Sequence, residues 1–158
     1  MQFITTSFDE LTVRQLQQIY KLRVAVFVVE QACPYQEVVE QACPYQEVDD
    51  TDLMAWHLRG MDSTGQLLVY ARLMREANQQ ARIGRVITNP IVRGHGYGQQ
   101  LLQQAIVQIQ ALWPSTTQIN IQAQHYLDRF YRGFGFQPVS GVYLEDGIPH
   151  QNMILTLN

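Results

Sequence analysis

The chain has 158 residues, of which 46% are hydrophobic and 16% charged, and a formal net charge of −3. That length fits one domain, able to bury about two-thirds of the surface its unfolded form exposes without a disulfide or metal staple. No apolar run approaches the roughly 20 residues of a bilayer span, and the scattered arginines form no basic stripe, so neither membrane nor nucleic-acid partners are expected.

Phe3 to Thr6 reads as a short edge strand, and no secretory leader precedes it, which points to the cytoplasm. Thr12, with Gln15 three positions later, makes a capping box that opens a helix. Leu16, Ile19, Tyr20, Arg23, Val26 and Phe27 then follow helical spacing and give that helix one buried face.

Next comes an exact tandem duplication: Val28 to Glu37 (VVEQACPYQE) recurs as Val38 to Glu47. Solenoids need units of roughly 20 residues in at least three copies, so this is an insertion within a single domain spanning 1–158. Cys33 and Cys43 are two copies of one residue, which is poor evidence for a disulfide and agrees with a reducing compartment. Pro34 and Pro44 would each cost about 3 kcal/mol inside a helix, so the duplicated stretch is expected to leave the helix as loop. One copy is expected to hold the parental register while the other bulges out.

Leu53 to Arg59 and Leu67 to Arg75 read as the strands of a hairpin around Asp62 to Gly65. Ala81 to Thr88 is the next strand, ending before Asn89 and Pro90. Arg93, Gly94, His95, Gly96, Tyr97 and Gly98 form a glycine-dense turn, after which Leu101, Leu102, Ala105, Ile106, Ile109 and Leu112 recur at helical spacing up to Pro114. Thr117 to Gln124 alternates as a half-buried strand, and Tyr126 to Gly133 is a short helix. Val142 to Leu144 and Asn152 to Leu157 form a hairpin around Asp146, Gly147, Ile148 and Pro149. This order gives an α/β fold with a mixed sheet.

The glycine turn is an anion cradle. Residues without Cβ atoms let the backbone curl around a ligand, and the following helix aims unpaired N–H groups and its dipole at negative charge. A dinucleotide fingerprint would need a third glycine where Gln99 stands, and a Walker-type loop would need a lysine, whereas Lys21 is the sole lysine of the chain. The four histidines and two cysteines show no zinc-type spacing, so no metal is expected.

These residues resemble the GNAT superfamily of acyl-coenzyme A dependent N-acyltransferases. The family's pyrophosphate loop (Arg or Gln, two variable positions, Gly, one variable position, Gly or Ala) is matched by Arg93, Gly96 and Gly98, and its aromatic pair followed by Gly and Phe by Phe130, Tyr131, Gly135 and Phe136. The run LRVAVFVVEQACPYQE before Val48, Asp49 and Asp50, with His57 and the late EDGIPH, is similar to the ElaA-like subgroup, and without one repeat copy the likeness covers essentially the whole chain.

The resemblance implies a mostly antiparallel twisted sheet with helices on both faces, and transfer of an acetyl group from acetyl-CoA to a small-molecule or peptide amine. The alternative is a catalytically silent acyl-CoA sensor or interaction domain. Edge strands of such sheets often pair, which would allow a homodimer. It further implies that the amides of Gly94 to Gly98, supported by Arg93, bind the pyrophosphate, with His95 only adjacent, and that Val86, Ile87 and Thr88 hold the pantetheine arm. Tyr131 would protonate the departing sulfur as general acid. The general base stays open among Glu37 or Glu47, Asp49, His57, Glu145 and His150. His57 is equally readable as a satisfied interior histidine, because it alternates with Trp56 and Leu58 on a strand.

Overall fold

A computed structural model describes residues 1–31 and 46–158. The Thr12 hydroxyl accepts from the Gln15 amide at 3.2 Å, and the Gln15 side chain accepts from the Thr12 amide at 3.0 Å. Two orphan donors are thus satisfied where helix α1 (Val13–Val24) starts. The helix continues as a π-helical stretch, Ala25–Glu30, so that Ile19, Leu22, Arg23 and Val26 all lie buried. The first copy of the duplication therefore begins inside this helical stretch, and the second copy ends at Gln46 and Glu47, where the chain is again described. The expected bulge, Cys33, Cys43, Pro34, Pro44 and Glu37 lie outside the described residues.

Eight strands form one sheet: β1 (Gln2–Ser7), β2 (Trp56–Met61), β3 (Leu67–Glu76), β4 (Gln80–Thr88), β5 (Gln118–Gln124), β6 (Gln137–Pro138), β7 (Tyr143–Glu145) and β8 (Ile148–Thr156). Their order is β1-β2-β3-β4-β5-β8-β6, with β7 also paired to β8, and the β4–β5 pair alone is parallel among them. Period-two alternation divides the core in two. On one face Ile19, Leu22 and Val26 pack with Tyr70 and Ile87. On the other, Leu101, Leu102, Ala105 and Ile109 of α3 (Tyr97–Leu112) pack with Leu58, Ile83, Ile119 and Met153. The fold is α/β, a mixed and mostly antiparallel sheet flanked by helices on both faces.

Two expected boundaries are corrected. Leu53 and Met54 belong to the short helix α2 (Thr51–Met54) and are 55% and 84% exposed; the strand begins only at Trp56. The turn is needed to bring buried Asp52 onto Arg23 and Arg72, which outweighs the strand-like pattern of the apolar neighbours. In the last hairpin Asp146 and Gly147 alone make the turn, with φ of 51° and 75°, while Ile148 and Pro149 lie within β8. Two left-handed residues match the twist of the flanking strands, so the tighter turn wins. The two-residue strand β6 is too short to announce itself in sequence.

Candidate active site

Strands β4 and β5 pair only at Gln80, Arg82 and the residue between them, against Gln118 to Asn120, and then part. Their divergence opens a cleft of about 840 Å³, lined by Gly84 to Thr88 on one side and by Ile121, Gln122 and Gln124 on the other. Phe27, Glu30 and Gln31 from the first helical stretch and Gly98 of α3 border it. Tyr126, Leu127, Phe130 and Tyr131, from the turn before α4 (Asp128–Arg132) and from α4 itself, complete one wall. Glu145, Asp146 and His150, from the β7–β8 hairpin, also border the cleft.

The glycine turn lies beside the cleft. Asn89 caps the short turn Pro90–Val92, its side-chain oxygen accepting from the Ile91 amide at 3.2 Å. Gly94 and Gly96 take φ of 80° and 76°, a conformation that strains any residue bearing a Cβ. Gly96 is the N-cap of α3, and the Gln100 amide donates to its carbonyl at 3.2 Å. The amides of Tyr97, Gly98 and Gln99 consequently precede the helical ladder and are available to an anion. A Cβ on Gly98 would stand 3.3 Å from the Thr88 hydroxyl and 3.9 Å from the Phe130 ring, so glycine keeps the turn open against β4. A diphosphate fits this donor set.

Arg93 is engaged within the fold. Its guanidinium grips both carboxylate oxygens of Glu30, at 2.6 and 3.1 Å, and its Nε donates to the Thr88 carbonyl at 3.3 Å. It thereby braces the turn to both β4 and the first helix. His95 Nδ1 stands 2.9 Å from the Arg93 carbonyl and 3.1 Å from that of Val92; carbonyls only accept, so this nitrogen carries a proton. The ring stacks beside Tyr97 and organises the turn.

Tyr131 is 5% exposed, in edge contact with Phe130 at 5.1 Å and Phe136 at 5.9 Å between ring centroids. Burial pushes its phenol well above the ordinary value, so it holds its proton throughout the physiological range. It lines the cleft.

The candidates for general base separate cleanly. His150 lines the cleft; its Nδ1–H donates to the Ile148 carbonyl at 2.7 Å, which leaves Nε2 as the acceptor. Glu145 borders the same end. His57 is fully buried away from that lining. Its Nε2 donates to the Asp52 carbonyl at 2.9 Å and its Nδ1 accepts from the Tyr70 hydroxyl at 2.7 Å. Glu47 and Asp49 are taken up by arginines, and Glu37 lies outside the described residues.

Burial lowers the His57 pKa below its ordinary 6.5. The unfolded chain therefore binds a proton that the folded chain refuses, and stability falls as pH drops from about 6.5 toward the folded value. Melting temperature is expected to decline between pH 7 and 5 in the wild type and to decline less in His57→Gln; parallel curves would assign the acid sensitivity elsewhere.

Behind the cleft lies a buried ion cluster that residue spacing hardly announces. Arg23 Nε donates to Glu47 Oε1 at 2.6 Å and its Nη1 to Asp52 Oδ1 at 2.7 Å, while Arg72 Nη1 donates to Asp49 Oδ1 at 2.7 Å and to Asp52 Oδ1 at 3.0 Å. Arg85 adds a bond to Glu47 Oε1 at 3.1 Å. One signal was present: Arg23 occupies a position in the apolar stripe of α1, where a guanidinium must find carboxylates. Among the described residues, no group of histidine, cysteine and carboxylate side chains is arranged to hold a metal ion.

The acetyltransferase (GNAT) domain family matches residues 16–157 of this chain. A UPF0039 protein of Schizosaccharomyces pombe is 41% identical over 157 residues, covering 99% of this chain and 98% of the relative. The protein ElaA of Escherichia coli is 40% identical over 147 residues, covering 92% and 90%. Among solved structures, an acyl-CoA N-acyltransferase from Pseudomonas aeruginosa superposes with a TM-score of 0.84 at 38% identity over 97% of each chain. The crystal structure of Escherichia coli ElaA gives 0.85 at 37% identity over 98% of this chain and 99% of that one. With the splayed strands, the glycine turn and these likenesses in agreement, the chain belongs to the GNAT acetyltransferase family and is an acyl-CoA-dependent N-acyltransferase.

Proposed function

We propose that the chain moves an acetyl group from acetyl-CoA to a primary amine by direct attack within a ternary complex. The observation that carries this reading is the cleft between β4 and β5, with the glycine turn beside it, Tyr131 in its wall and the imidazole of His150 on its border. The amides of Gly94 to Gly98 and the N-terminus of α3 bind the diphosphate of the donor. Val86, Ile87 and Thr88 offer main-chain partners to the pantetheine arm, because β5 has already departed from β4 at this level.

A main-chain amide of β4 then polarises the thioester oxygen, as in an oxyanion hole. The amine lone pair adds to the carbonyl carbon, the C–S bond breaks, and the sulfur takes a proton from Tyr131. The proton released by the nitrogen passes to His150 Nε2, directly or through water.

A thiol-release assay with acetyl-CoA and a panel of amines tests this, with donor binding followed by calorimetry. Saturable thiol release that needs an amine supports transfer, whereas donor binding without release under any amine would make the protein a sensor. Gly98→Val, which crowds Thr88 and Phe130, is expected to weaken acetyl-CoA binding at least about tenfold, since the diphosphate amides sit on that turn. Unchanged affinity would place the diphosphate elsewhere.

A further inference from the structure

The β7–β8 hairpin carries an aromatic brace against the imidazole that borders the cleft. Tyr143 and His150 are direct partners across the two strands. Asn152 stands two residues beyond His150 and so on the same face of β8, by the alternation of side chains along a strand. The Tyr143 hydroxyl donates to Asn152 Oδ1 at 2.5 Å, so the phenol ring reaches past the imidazole to arrive there. The two rings lie side by side, 6.2 Å between centroids and 23° between planes.

Asn152 is a fixed post. Its amide donates to Ser140 Oγ at 2.9 Å and its carbonyl accepts from the Val139 amide at 2.9 Å, which ties the phenol to the edge of the sheet. His150 by itself is held less firmly. The bond from its Nδ1 to the Ile148 carbonyl settles which nitrogen carries the proton, but a ring hinged on one hydrogen bond can still rock. On the other side of β8, its cross-strand partner Gln124 is engaged with Gln31 through bonds at 3.1 and 3.4 Å. The imidazole thus stands between a clamped phenol and a clamped amide. His150 borders the cleft, whereas Tyr143 and Asn152 stand behind it, outside the lining.

We propose that Tyr143 is a positioning residue for acyl transfer: clamped by Asn152, its ring stops the His150 imidazole from rocking and keeps Nε2 aimed at the amine. This rests on the reading above that His150 takes the amine proton. Tyr143 touches neither substrate in this scheme. Its whole effect on turnover travels through one imidazole.

The test uses Tyr143→Leu and Tyr143→Phe, each alone and combined with His150→Gln. For each, kcat and the KM values for acetyl-CoA and for the most active amine of the panel are measured by thiol release, and folding is checked by thermal melting. His150→Gln removes the base and is expected to lower kcat at least about a hundredfold. Tyr143→Leu removes ring and clamp together, so kcat is expected to fall about tenfold with the KM for acetyl-CoA within about twofold, because a base turned away from its proton acts on the transition state and not on donor binding. Tyr143→Phe keeps the ring without its clamp, and is expected to lose only about threefold. In the His150→Gln background neither substitution should cost more than about twofold, since nothing remains to be aimed.

Wild-type kcat in Tyr143→Leu would overturn the proposal, and so would a cost equal in both backgrounds or a phenylalanine variant no better than the leucine one. If Tyr143→Leu does not fold, Tyr143→Phe decides: a loss that vanishes beside His150→Gln supports the brace, and its absence or its persistence there refutes it. Wild-type turnover in His150→Gln would instead remove the base itself, a result distinct from a failed brace, which leaves His150 essential.

Discussion

Tyr131→Phe is expected to lower kcat about a hundredfold while acetyl-CoA affinity stays within about twofold, at the low end of what losing a general acid costs. The substitution removes one oxygen and leaves the ring in its edge contacts with Phe130 and Phe136, so the wall of the cleft survives. What disappears is the proton. Burial holds the phenol neutral far into the alkaline range, so Tyr131 meets the reaction with its proton in place, able to hydrogen bond to negative charge as it develops on a leaving sulfur. A thiolate leaves more readily than an amide or alkoxide, which is why the loss should not reach the ten-thousandfold end of the range. Pre-steady-state measurement of thiol release against amine acetylation checks the assignment. Wild-type kcat would remove Tyr131 from the chemistry, and a loss confined to affinity would make it part of the donor's seat.

The second large effect is structural. Arg23→Met is expected to lower the melting temperature by about 10 °C, because two carboxylates lose the guanidinium that justified their burial. Arg23 is fully buried, Glu47 is 5% exposed and Asp52 is 1% exposed. Burial alone would raise the Asp52 carboxyl, but the bonds from Arg23 and Arg72 outweigh it and hold the pKa below its ordinary value. Stability from that pairing is present above the unfolded value of about 3.9 and is lost as pH falls through the depressed folded value. Breaking a buried pair from one side costs about 3–5 kcal/mol, a large share of the roughly 5–15 kcal/mol that keeps a domain folded. Calorimetric melting of Arg23→Met at pH 7 gives the answer, and a shift of under about 2 °C would mean that Arg72 and Arg85 neutralise the acids by themselves.

Features governed by near neighbours could be read from the sequence. The Thr12 and Gln15 box, the buried stripe of α1, the glycines that take positive φ and the apolar face of α3 each depend on residues a few positions apart. The partners of Arg23 could not be read, because Glu47 and Asp52 are 24 and 29 residues away and several carboxylates crowd the intervening stretch. His57 was ambiguous for the same reason: its fate depended on the β2–β3 register, which brings the Tyr70 hydroxyl against it from 13 residues away. The left-handed backbone at Arg85, with φ of 52°, left no trace in residue type, since a glycine would have announced it and an arginine does not. The role proposed for Tyr131 came from family resemblance, whereas its spacing alone indicated an ordinary core aromatic.

The parallel junction of β4 and β5 spans three residue pairs, and a cluster of polar side chains bolts it on one side. Glu76 accepts from Arg82 Nε at 2.5 Å and from the Asn120 amide nitrogen at 2.8 Å, and that nitrogen also donates to Gln80 at 2.9 Å. The sheet is therefore built like a clothes peg: riveted at one extremity, with jaws that are free of main-chain bonds to each other. Widening the jaws breaks no ladder between the two strands, so the gap can open at little cost while the rivet preserves the alignment of both arms.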